Sequence, residues 1–143
     1  MFQNVMMVCI GNICRSPIAE VYLKHLQPEL NVYSSGLGAL VGKSAHPTSV
    51  SLMEAENIDL TQHRAQQINS VLVTGADLIL TMEQRHIDAI QNKFPASRGK
   101  VHLIGKWNNN EEIYDPYRKD LQAFETASSM LISGLDAWQE KLW

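Results

Sequence analysis

The sequence predicts an α/β fold, a parallel sheet covered by helices on both faces, and three features of the 143 residues lead there. The apolar run Val5, Met6, Met7 and Val8 lacks the polar alternation of a half-exposed strand, so it fits a strand buried on both sides. Beyond it the apolar residues switch to helical spacing, at Ile18, Ala19, Tyr22, Leu23 and Leu26. This strand-then-helix alternation recurs to the end of the chain, and strands joined through helices imply right-handed crossovers and parallel pairing.

Taken in order, residues 5–8 form the first strand. Ser16 followed by Pro17 reads as an N-cap and first-turn pair opening a helix that Pro28 ends. Residues 31–34 read as a short strand, 47–56 as a helix, 77–81 as an apolar strand, 83–92 as a helix and 101–104 as a fourth strand. Residues 121–143 read as a closing helix. Four such strands fit a flavodoxin-like parallel sheet in the order 2-1-3-4, with helices on both faces. Ligands in these sheets bind beyond the carboxyl ends of the strands, where the order reverses, and the turn after the first strand lies there.

The length fits one domain, residues 1–143, able to bury a core without disulfides or metal. With 45% hydrophobic and 19% charged residues the composition is that of an ordinary soluble globule. A formal charge of -3 without any Lys/Arg block argues against nucleic acid or an anionic membrane as the main partner, so an anion site must be local. No apolar run approaches the length of a membrane span, and residues 5–10 are too short for a secretory signal, so the expected location is the cytoplasm. Only Cys9 and Cys14 occur, which excludes a disulfide framework and favours a reducing compartment. Two thiols without a His cluster make no structural zinc site, and neither metal nor cofactor is expected.

The chemistry concentrates in Cys9-Ile10-Gly11-Asn12-Ile13-Cys14-Arg15-Ser16, between strand and helix. A loop of this length curls so that successive backbone N–H groups point at one centre, and the helix N-terminus adds its positive dipole end. That suits a tetrahedral dianion, and Gly11 and Asn12 tolerate the positive φ such a nest requires. The same field prepares a nucleophile, because helix N-termini and cationic neighbours lower thiol pKa values to roughly 3.5–7.5. Arg15 supplies a planar fork for two phosphoryl oxygens, which Lys does not copy, and Ser16 supplies a donor to the sulfur. Against this stands the bland reading of Cys9 as a buried apolar filler, which the ordered strand, Gly-Asn turn, Arg-Ser and Pro disfavour. Asp115-Pro116 reads by itself either as a turn or as a general acid.

Cys-x5-Arg-Ser near the N-terminus with Asp115-Pro116-Tyr117 late in the chain resembles the low-molecular-weight protein tyrosine phosphatases. The likeness covers nearly the whole chain. Residues 36–43 (GLGALVGK), 77–87 (DLILTMEQRHI) and 115–119 (DPYRK) look especially similar to the bacterial, Wzb-like branch. The resemblance implies phosphotyrosine hydrolysis through a cysteinyl-phosphate on Cys9, with Arg15 as phosphate clamp and Asp115 as acid, then base. It implies that Ile10, Gly11, Asn12, Ile13 and Cys14 cradle the phosphoryl group, with Ile13, Leu40 and Tyr117 walling a slot for the ring. Asn12, Ser16, Ser35 and His63 would support the loop by hydrogen bonds, and His46 is read as structural. Leu40 replaces an aromatic residue of the eukaryotic members, Arg118 a second tyrosine and Glu83 an aspartate. The implied partner is a phosphotyrosine protein, a bacterial tyrosine autokinase of capsule or exopolysaccharide export, met by a monomer or weak dimer. Cys14 lies where a disulfide with oxidised Cys9 is expected.

Three rivals remain to be weighed. An arsenate reductase on this scaffold needs further cysteines, and none follows Cys14. A P-loop nucleotide hydrolase needs Gly-x4-Gly-Lys-Ser/Thr after a strand, and the sequence has none. A non-catalytic anion-binding module would use the nest and Arg15 but not Asp115.

Overall fold

The structure, a computed structural model, describes residues 2–143. Strand β1 (Asn4–Cys9) is the hub of a four-stranded sheet, pairing with β2 (Asn31–Gly36) on one side and β3 (Leu78–Thr81) on the other, while β4 (Val101–Leu103) adds outside β3. All pairings are parallel and the order is 2-1-3-4, the predicted topology.

Both faces of β1 are buried, which is why its sequence lacks alternation. Val5, Met7 and Cys9 enter a core formed with α1 (Arg15–Leu26), α2 (Pro47–Ala55) and α5 (Leu121–Leu142). Met6 and Val8 enter a second core formed with α3 (Ser70–Gly75) and α4 (Gln84–Lys93). Residues 5–8 have no exposed surface, and each fully buried apolar side chain of this size contributes about 1.5–3 kcal/mol. Among the described residues no helix is long and apolar enough to cross a membrane.

The structure corrects the predicted opening of α1. The helix starts at Arg15 with Cys14 at the cap position, and Ser16 is not the N-cap, because its hydroxyl is taken by Cys9 and Asn12. Pro17 still falls in the first turn, where its missing N–H costs no helical bond. Strand β2 runs two residues further than the prediction, to Gly36. Neither α3 nor the 3-10 turn Pro95–Ser97 was foreseen, since elements this short carry no measurable periodicity.

All four strands end at one edge, and their following loops build the site. β1 and β2 finish in register, Cys9 opposite Gly36, so their loops leave the sheet side by side. A Cβ at Gly36 would lie 2.3 Å from the Ile10 carbonyl oxygen, so only glycine admits this approach. Past β4, a bridge between Gly105 and Glu111 and the bond from Ile113 N–H to Met82 O (2.9 Å) fold the chain back over the end of β3. That return delivers Asp115.

Candidate active site

Every backbone carbonyl from Cys9 to Cys14 accepts a hydrogen bond from outside the loop. Leu37 N, Gly38 N, Leu40 N and His46 N donate to Cys9 O, Ile10 O, Gly11 O and Ile13 O at 2.9, 3.0, 3.0 and 2.8 Å. His63 Nε2 lies 2.7 Å from Asn12 O, and Ser49 Oγ donates to Cys14 O at 3.3 Å. With the carbonyls turned outward the amides turn inward, and among the described residues none of the N–H groups of residues 10–14 donates to a protein acceptor. The loop is a ring of converging donors at the N-terminus of α1.

The positive φ needed for this curl falls on Asn12 (59°) and not on Gly11. Asn12 is fully buried, and its side chain lies behind the loop, donating to Ser16 Oγ (2.8 Å) and Ser34 Oγ (3.0 Å) and accepting from Gln66 N (2.9 Å). The expected Ser35 is not in this network. Its hydroxyl meets Met6 Sδ at 3.3 Å on the other face of the sheet, and Ser34 takes its place, its hydroxyl donating to Glu20 Oε1 at 2.6 Å. A one-residue step along a strand reverses the face, so the error is one of register. Ser16 Oγ sits 2.8 Å from Cys9 Sγ, and with Asn12 donating to it, its proton is free for the sulfur.

Arg15 is almost fully buried. Its Nη1 donates to Glu83 Oε2 (2.6 Å) and to Ile113 O (2.8 Å), while Nε has no partner and Nη2 lies 3.8 Å from Asp115 Oδ2. One edge of the guanidinium is thus anchored and another is left for a ligand. Glu83 caps α4 and also accepts from Arg85 Nε (3.0 Å). Burial raises its pKa, but hydrogen bonds from Arg85 and Arg15 outweigh that and hold the carboxyl below its usual range. Beneath it, burial and then Arg15 push the His86 imidazole down to about 4, so His86 is neutral. His86 Nδ1 accepts from Glu83 N (3.3 Å), which leaves the proton on Nε2, and the 3.5 Å separation from Glu83 Oε2 is not an ion pair. Cys14 is pushed up to about 12, chiefly by burial and then by Asp115, and stays a neutral thiol.

Cys9, Ile10, Gly11, Ile13, Cys14, Arg15, Leu40, Asp115 and Tyr117, all singled out from sequence, line one cavity of about 180 Å³ together with Gly38. Asn12 and His63 hold the loop from behind. Sequence reasoning missed Glu83 as the anchor of Arg15, Ser34, Gly36, and Gln66 and Ser49. Glu83 was visible only as a departure from a resemblance, and the others lie far from the loop in sequence with no local signal. Among the described residues no cluster of metal-ligating side chains occurs.

A thiol at the focus of a donor ring, a buried guanidinium beside it and a carboxyl at the rim make a site suited to holding an oxyanion against sulfur. The chain belongs to the family of low molecular weight phosphotyrosine protein phosphatases, whose model matches residues 4–143, and is an enzyme of that class. It is 48% identical over 142 residues to the low molecular weight protein-tyrosine-phosphatase Wzb of Salmonella typhimurium, covering 99% of this chain and 95% of that one. Its fold matches the crystal structure of the Erwinia amylovora tyrosine phosphatase AmsI with a TM-score of 0.96 at 42% identity, over 99% and 94% of the two chains. Vibrio vulnificus Wzb in complex with benzylphosphonate gives the same TM-score at 37% identity, over 99% and 100%.

Proposed function

We propose that the whole chain, residues 1–143, acts as one catalytic unit that hydrolyses protein phosphotyrosine through a phosphocysteine on Cys9. The outward rotation of every carbonyl from Cys9 to Cys14 carries this reading, because it aims the amides at a phosphoryl group resting on Sγ. The Cys9 thiolate attacks phosphorus in line, the bond to the tyrosine oxygen breaks, and the Asp115 carboxyl gives its proton to the departing phenolate. Asp115, now a carboxylate, then takes a proton from water as that oxygen attacks phosphorus. The S–P bond breaks, inorganic phosphate leaves and the thiolate returns, with the Ser16 proton stabilising the sulfur in both steps. Arg15 Nε and Nη2 bind two equatorial oxygens while Glu83 and Ile113 O hold the other edge of the guanidinium. No step calls for a metal or cofactor.

Ile13, Leu40 and Tyr117 wall the slot over the loop and suit an aryl ring better than a short alkyl chain. The benzylphosphonate carried by the Vibrio protein is a group of that shape. Membership of the Wzb-like phosphatases favours a phosphotyrosine protein as the substrate, and our reading takes it to be a tyrosine autokinase of capsule or exopolysaccharide export, met in the cytoplasm by a monomer or weak dimer. If peroxide oxidises Cys9 to a sulfenic acid, Cys14 condenses with it to a disulfide and releases water, slowly because its thiol stays protonated.

The test is hydrolysis of phosphotyrosine and phosphoserine peptides by wild type and Cys9→Ser. Wild type should release phosphate from phosphotyrosine alone, with or without EDTA, and Cys9→Ser from neither peptide. Equal rates on both peptides, or turnover without the sulfur, sink the proposal.

A further inference from the structure

The loop that carries Tyr117 makes its hydrogen bonds within itself, although its Pro116 is buried. Tyr117 N–H donates to Asp115 Oδ1 (3.0 Å) and Lys119 N–H to Pro116 O (2.9 Å), while the Arg118 guanidinium, on a residue at φ 65°, lies 5.4 Å from the Tyr117 ring centroid. From outside the loop one aromatic ring meets Tyr117. The His46 imidazole stands 6.1 Å away, centroid to centroid, at 87°, an edge-to-face arrangement.

His46 is itself fixed from three directions. Its backbone N–H donates to Ile13 O (2.8 Å), its Nδ1 accepts from Thr48 N (3.1 Å) at the start of α2, and its ring stacks on Phe124 at 4.7 Å and 34°. Phe124 is 2% exposed in the first turn of α5 and packs with Ile13 and Cys14 beneath the phosphate loop. His46 therefore touches both sides of the slot, the floor at Ile13 through its backbone and the wall at Tyr117 through its ring. Capping alone does not explain a histidine here, because Asp, Asn and Ser are the favoured N-caps.

We infer that His46 is a positioning residue that holds Tyr117 over the phosphate loop and so sets the affinity of the slot for the aryl group of its substrate. This rests on the reading of Tyr117 as the slot wall. His46 does not itself line the cavity, so its contribution falls, through Tyr117, on binding of the aryl portion and not on the displacement steps.

His46→Asn keeps a capping acceptor for Thr48 and removes the ring. KM for a phosphotyrosine peptide should rise about threefold to tenfold, the range expected for losing one aromatic pair. The rate constant kcat and inhibition by inorganic phosphate, which meets only the loop, should stay within about twofold. His46→Phe should recover the KM at the cost of thermal stability, since it keeps a ring and loses the cap. In a Tyr117→Ala background His46→Asn should change nothing further. An unaltered KM in His46→Asn overturns the inference, and so does a KM rise matched by equal weakening of phosphate inhibition, which would mean a distorted loop. Should His46→Asn fail to fold, His46→Asp carries the same expectation. If Tyr117→Ala itself leaves KM unmoved, the slot reading falls, whereas a rise in Tyr117→Ala with none in His46→Asn removes His46 alone.

Discussion

The phosphate loop and the Asp115 loop face each other across the same cavity, and they are built in opposite ways. In the phosphate loop each carbonyl is committed to a donor from a distant part of the chain, Asn12 is sealed behind it by three bonds, and Arg15 is clamped by Glu83 and Ile113. The hydrogen bonds of the Asp115 loop lie within residues 115–119, its Pro116 is buried, and the Asp115 side chain, 3.8 Å from Arg15 Nη2, is 39% exposed. A group that binds a dianion must present its donors before the ligand arrives, or the cost of ordering them is taken from affinity. A group that hands over a proton and takes another needs access to water and to the leaving oxygen, and a local turn provides that. One loop is held by hydrogen bonds from many elements, the other by hydrogen bonds of its own.

If the two loops divide the work in this way, replacing Asp115 should damage chemistry and spare structure. Asp115→Asn keeps an acceptor for Tyr117 N–H, so kcat on an aryl phosphate should fall about 10²–10⁴-fold with an unchanged thermal midpoint and unchanged phosphate affinity. A midpoint that fell with the activity would mean the loop is structural and would break the contrast.

Asn12→Ala, by contrast, should damage structure and take activity down with it. It removes three buried bonds and strands the Ser34 and Gln66 partners, so unfolding stability should drop by about 3 kcal/mol, read by denaturant melts, with activity falling as well. A loss under about 1 kcal/mol would show that the loop holds its curl without the asparagine.

The rigid side also has an acid limit. Unfolded, His86 takes up a proton below about pH 6.5, but folded it stays neutral until about 4, so the unfolded state binds more protons between those values and stability falls as pH drops through that window. The loss attributable to His86 is about 3 kcal/mol, at roughly 1.36 kcal/mol per unit. His86→Gln, which retains a side chain for the capping box, should flatten stability across that range. Equal acid sensitivity in both proteins would assign the titration elsewhere.

The smallest effect is expected at Arg85, whose side chain is 63% exposed although it pairs with the same Glu83 that anchors Arg15. Arg85→Ala should cost under about 1 kcal/mol and leave phosphate affinity unchanged. A large loss of affinity would extend the rigid network out to the surface.

Local patterns made much of this readable. A continuous apolar run marks a strand buried on both faces, and Cys9 to Ser16 bring strand, turn, cation and helix start together within eight consecutive residues, so the fold class and the candidate nucleophile and clamp were all legible, with the sheet order following from the fold class. Period-2 reasoning could not choose between Ser34 and Ser35 without the register of β2 on β1, and Ser16 looked like a cap until the structure showed that its hydroxyl was engaged elsewhere. Glu83 on Arg15, Gly36 against Ile10 and His46 against Tyr117 join segments distant along the chain, and no periodicity or propensity encodes such meetings. By itself the sequence determined which groups the chain owns and which local conformations they favour. Only tertiary structure decided which of them share a hydrogen bond, because that depends on how elements pack across distances that local forces do not span.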